Sequence, residues 1–122
     1  MILADTSVWV DHFRKQDARL SSLLLAGQIV IHPFVIGELA LGSLRNRAQT
    51  LSYLNLLPQV RLSSTDEVRT LIEARSLHAR GIGLVDMHLI ASVLLTPPAR
   101  LWTRDSRLRK IAEALNLHAH LL

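Results

Sequence analysis

The sequence predicts an α/β/α sandwich, three layers built on a mostly parallel sheet of about five strands. Short apolar runs at 2–5, 29–31, 60–62, 100–103 and 117–122 alternate with longer segments of helical periodicity. Strands separated by helices pair in parallel through crossovers that cover both faces of the sheet. Two of the runs also end abruptly in an acid with hydroxyl neighbours. Ile2-Leu3-Ala4 runs into Asp5-Thr6-Ser7, and Leu101-Trp102 into Thr103-Arg104-Asp105. Open parallel sheets place their sites at such carboxyl ends.

The elements follow in order. After the first strand, Ser7 to Phe13 reads as a helical turn or two. A helix over 18–26 carries Leu20, Leu23, Leu24 and Leu25 and stops at Gly27. Ile29-Val30-Ile31 is the second strand, and Pro33 then opens a helix where a missing N–H costs nothing. That helix reaches about Leu44, and another runs from Gln49 to Leu57, ended by Pro58. Val60-Arg61-Leu62 is a weak third strand. Ser63 to Glu67 offers several N-caps for a helix with Val68, Leu71, Ile72, Ala74 and Leu77 along one face. Leu84 to Thr96 is apolar nearly all round, as a buried helix is. The strand 100–103, a helix from Ser106 to Leu115 and a last strand from Leu117 close the fold. Several connections hold two helices.

With 122 residues and no internal repeat or linker, residues 1–122 read as one domain. The absence of Cys rules out disulfides and thiolate metal sites and fits a reducing compartment. Asp5 interrupts the N-terminus before any signal peptide can form, and no apolar run approaches a membrane span, so a cytoplasmic protein is expected. Fourteen Lys plus Arg against ten acids give +4, and twelve of the fourteen are Arg. The planar guanidinium suits phosphate, so this surface points to a polyanionic partner or, more plainly, to solvated helix faces.

Four acids stand in apolar or strand-end settings: Asp5, Glu38, Asp86 and Asp105. Three have a structural reading. Asp5 and Asp105 can cap the helices that follow them, and Asp86 lies in a first turn, where the helix dipole favours a negative charge. Glu38 has no such reading. It sits mid-helix among Val35, Ile36, Leu39 and Leu41, with no cation within four residues. At an effective dielectric near 20, each close pair of carboxylates costs about 4 kcal/mol. A hard divalent cation, Mg²⁺ or Mn²⁺, relieves that repulsion through oxygen ligands and retained waters. Thr6, Ser7 and Thr103 stand ready to orient a water or a ligating carboxylate, or to cap the same helices. The six His form no cluster, and Trp9 and Trp102 belong to apolar runs.

Asp5-Thr6-Ser7 after a short strand, the isolated Glu38, Gly81-Ile82-Gly83-Leu84-Val85-Asp86 with Ile90-Ala91-Ser92, and Thr103-Arg104-Asp105 together resemble the PIN domain. A free-standing chain of this length is similar to the VapC-type toxins of type II toxin–antitoxin systems. Leu108 departs from the pattern, since relatives often carry an aromatic there. The resemblance implies a five-stranded parallel sheet, Mg²⁺- or Mn²⁺-dependent endoribonuclease activity, a homodimer, and a cognate antitoxin whose tail covers the active-site groove. It casts Asp5, Asp86 and Asp105 as metal holders with Glu38 completing the cage or accepting a proton from the attacking water. Arg104 is then the expected cation for the RNA phosphate. Two other readings stand beside this one. A non-catalytic RNA- or partner-binding domain could keep the fold. A receiver-like phosphoacceptor switch also uses strand-end acids, but needs adjacent acids after the first strand, where Ala4 precedes Asp5, and a lysine near a late strand end.

Overall fold

The computed structural model describes residues 1–122. Its elements are β1 (Ile2–Ala4), α1 (Thr6–Arg14), α2 (Ala18–Leu25), β2 (Ile29–Val30), α3 (Pro33–Ala40), α4 (Arg47–Leu56), α5 (Thr65–Ala74), α6 (Leu84–Leu95), β3 (Arg100–Trp102) and α7 (Ser106–Ala114). The sheet runs β2-β1-β3, all parallel, with Leu3 opposite both Val30 and Leu101. β1 is therefore the central strand, and Asp5 leaves it beside the end of β3.

Successive strand residues point to opposite faces. Leu3, Ala4, Leu101 and Trp102 are all fully buried, so helices cover the sheet on both sides, as the sandwich requires. α1, α3 and α4 pack in one set and α5 with α6 in another. α6 is enclosed from Met87 to Val93, which accounts for the apolar character of its middle, while Leu84, Leu94 and Leu95 at its ends are exposed. Trp9 and Trp102 are core residues, as expected, and Leu108 fills its position fully buried.

Local chemistry sets the helix ends. Pro33 is the first residue of α3, and His32 caps it by accepting the Phe34 N–H on Nδ1 at 2.9 Å. Ser64 and Glu67 form a reciprocal capping box at α5, at 3.1 and 2.9 Å. Gly27 ends α2 with φ +68°, in the left-handed region that glycine adopts without steric cost.

Two expectations need correction. The third and fifth strands are each reduced to a one-residue parallel bridge, Ile31 with Gln59 and Leu101 with His118. Beyond Ile31 the backbone turns into the His32 cap and Pro33, which has no N–H for a ladder. Beyond His118, positive φ at His120 turns the chain away. The five segments still lie in parallel order across the sheet. Helix α3 also stops at Ala40 rather than near Leu44, because the Arg47 guanidinium takes the carbonyls of Ala40 and Gly42. No helix is long and apolar enough to cross a membrane.

Leu3 lies at the centre of this core. Leu3→Ala is expected to lower the unfolding free energy by about 3 kcal/mol, read from the urea midpoint. A loss near zero would place the core elsewhere.

Candidate active site

The site begins with Asp5. Its backbone N–H still belongs to the sheet, donating to the Trp102 carbonyl at 2.9 Å, while its side chain already caps α1 by accepting the Val8 N–H at 3.3 Å. Only 4% of the residue is exposed. The Ser7 hydroxyl donates to Oδ1 at 2.5 Å and the Thr103 hydroxyl donates to Oδ2. Each hydroxyl also accepts a backbone N–H from the exit of β3. Ser7 Oγ receives Arg104 N–H at 3.0 Å, and Thr103 Oγ1 receives Asp105 N–H at 3.0 Å. The two strand ends are thus tied through one carboxylate. Ser7 orients the acid instead of capping the helix.

Asp105 caps α7, accepting the N–H groups of Arg107 and Leu108 at 3.0 Å each. Asp86, in the first turn of α6, reaches back to the Gly83 N–H at 3.4 Å. Capping therefore brings all three aspartates to the same end of the sheet and does not compete with their membership of a site. Glu38 lies on the exposed side of α3, where the Thr6 hydroxyl donates to it at 2.6 Å. Beside it runs a groove of about 330 Å³ between α1 and the end of α3, with Val10, Phe13 and Leu44 among its walls.

Charge unites the four. Burial pushes the Asp5 carboxyl above the usual carboxylate range, against the hydrogen bonds from Ser7, Thr103 and Val8. Burial likewise raises Asp86, and the negative charges of Asp5, Asp105 and Glu38 raise it further. One carboxylate feels all three others, so the four acids form a single electrostatic cluster at the carboxyl ends of β1 and β3. No three His, Asp or Glu side chains close into a ready cage. The donor set of oxygens alone, facing mutual repulsion, suits a hard cation that keeps most of its waters and takes few direct protein ligands.

Residues 2–114 match the family model for the PIN domain. The chain belongs to the PIN domain family. It is 50% identical over 109 residues to proteins named Ribonuclease VapC32 from two strains of Mycobacterium tuberculosis, CDC 1551 / Oshkosh and ATCC 25618 / H37Rv. The match spans 89% of this chain and 88% of each relative.

Within this PIN domain, Arg104, the cation expected at the phosphate, is engaged inside the fold. Its guanidinium donates to Asp11 at 2.9 Å, to Asp17 at 2.5 Å and to the Leu122 carbonyl at 2.9 Å, and lies 5.4 Å from the Trp102 ring centre. Arg104 fastens α1 and the cap of α2 to the end of β3, and its charge is already matched. Asp11 lies on α1 and Asp17 caps α2, both in ordinary helical surroundings. They lie 93 and 87 residues from Arg104, so no local spacing signals the pairing. His118 and His120 stay at the sheet edge, with His118 buried and accepting the His120 N–H.

Because the Asp5 and Asp86 shifts are upward, the folded protein holds protons that the unfolded chain has lost, between the ordinary value of 3.8 and the raised one. In metal-free buffer, stability therefore falls as pH rises through that window. Asp86→Asn keeps an acceptor for Gly83 and removes one charge. In EDTA at pH 7 it should melt at a higher temperature than the unsubstituted protein, and the gain should vanish below pH 3.8. A variant that melts lower at pH 7 would contradict the crowding.

Proposed function

We propose that this chain is a Mg²⁺-dependent endoribonuclease, with Mn²⁺ an alternative ion, acting as the toxin of a toxin–antitoxin pair. The observation that carries the reading is the gathering of four acids at the carboxyl ends of β1 and β3, where Asp86, raised first by burial, also feels the charges of Asp5, Asp105 and Glu38. Relatives half identical over nearly their whole length are named ribonucleases, which supports RNA as the substrate. Family membership sets the receiver-like reading aside.

Asp5, Asp86 and Asp105 would hold the ion, directly or through water, with Glu38 completing the cage. When bound, the ion lowers the pKa of water and offsets charge growing on the phosphate oxygens. The protein's own groups do the rest. Ser7 and Thr103 fix the Asp5 carboxylate by donating to both of its oxygens. Glu38, exposed and held at one oxygen by Thr6, would take the proton from the attacking water. The 2′-hydroxyl need not participate, because water is the nucleophile.

The groove beside Glu38 supports the antitoxin assignment, since Val10 and Phe13 are 39% and 38% exposed next to a catalytic acid. An apolar antitoxin segment lying there would block the site. A homodimer is the proposed resting assembly by family likeness, and a cytoplasmic setting accompanies an RNA target.

Mg²⁺-dependent cleavage of a panel of tRNA, ribosomal and messenger RNA fragments tests the reading. Asp5→Asn and Asp86→Asn should abolish cleavage, and Glu38→Gln should slow turnover roughly 100- to 10,000-fold. RNA binding without cleavage by the unsubstituted protein would favour the non-catalytic alternative.

A further inference from the structure

We propose that Arg107, seated on Gly81, is the guanidinium that grips the RNA backbone at the rim of the site. The inference rests on the nuclease reading above and assigns the phosphate contact to a guanidinium that, unlike Arg104, is not already matched by carboxylates.

Four other arginines already have partners. Arg104 joins Asp11 and Asp17, Arg109 pairs with Glu113 at 3.0 Å, and Arg47 and Arg100 bind backbone carbonyls. Arg107 is exposed and has no carboxylate partner. Its one side-chain bond is a long one, Nη1–H to the Gly81 carbonyl at 3.4 Å. Most of the fork's five donors stay open, in the geometry that takes two phosphate oxygens at once.

Its position is the second argument. Arg107 follows Asp105 by two residues, and its own N–H is one of the two that Asp105 caps. Gly81 precedes Gly83, whose N–H holds Asp86. The guanidinium therefore spans the two segments that present Asp105 and Asp86. A four-carboxylate cluster repels a polyanion, and a fixed cation at its edge offsets that repulsion where the strand must approach.

The third argument is the seat itself. Gly81 has φ +76°, and a Cβ there would stand 2.9 Å from Arg107 Cδ and 3.0 Å from Nη1. Any side chain at 81 would displace the arginine. The glycine makes room for it.

The test is anisotropy of a labelled, mixed-sequence 20-nucleotide single-stranded RNA in EDTA, titrated with salt. Arg107→Ala should weaken binding about tenfold at low salt and flatten the log–log salt slope by about 0.7. Arg107→Lys should keep the slope and lose part of the affinity. Gly81→Ala should reproduce the loss with the charge unchanged, and add little in the Arg107→Ala background. Arg107 is exposed, so melting temperatures of its variants should match the unsubstituted protein. Unchanged affinity and slope in Arg107→Ala would overturn the inference and leave the nuclease reading standing. An unsubstituted protein that binds RNA with no salt dependence would overturn both.

Discussion

Asp5 ends the central strand with both carboxylate oxygens occupied by hydroxyls, one from its own helix and one from the exit of the neighbouring strand. Remove the parallel pairing of β1 with β3 and Thr103 no longer reaches it. Remove the carboxylate and the two hydroxyls, which also accept the Arg104 and Asp105 backbone N–H groups at the exit of β3, lose the acceptor they share. A buried acid satisfied in this way can stay in place although burial disfavours its charge. The arrangement couples fold and site: the sheet register that buries Leu3 and Leu101 is the register that aligns Asp5 with Thr103.

The other acids gather around this fixed point by different routes. Asp105 comes with the same strand exit, Asp86 comes in the first turn of the buried helix α6, and Glu38 comes on the open side of α3. Their graded exposure matters. Asp5 is enclosed and cannot relax, Asp86 is half-buried and is raised by the other three, and Glu38 and Asp105 remain open to solvent. A cation arriving from the groove side would thus meet a rigid inner acid and more accessible outer ones. Arg104 contributes to the rigidity by locking α1 and α2 onto the end of β3.

Much of this was legible in the chain. The strand-end motifs, the buried middle of the Leu84 to Thr96 run and the odd placement of Glu38 all express local constraints, because each depends on residues within a few positions. The four-acid reading followed from them. The partners of Arg104 were not legible, since Asp11 and Asp17 have ordinary helical neighbours and meet Arg104 only after the sheet closes. The weak outer strands were overread for a related reason: Val60 to Leu62 has strand composition, but Pro33 on the adjacent segment ends the ladder. The competition between capping and function, open in the sequence, is not a real one in the structure, because Asp5 and Asp105 cap their helices while standing beside the other acids.

The claim that the four carboxylates share one cation is tested most directly by anomalous diffraction from crystals equilibrated with Mn²⁺. A single centre or close pair of anomalous peaks bounded by Asp5, Glu38, Asp86 and Asp105 is the expected result. Peaks confined to other surfaces, or none at saturating Mn²⁺, would contradict it.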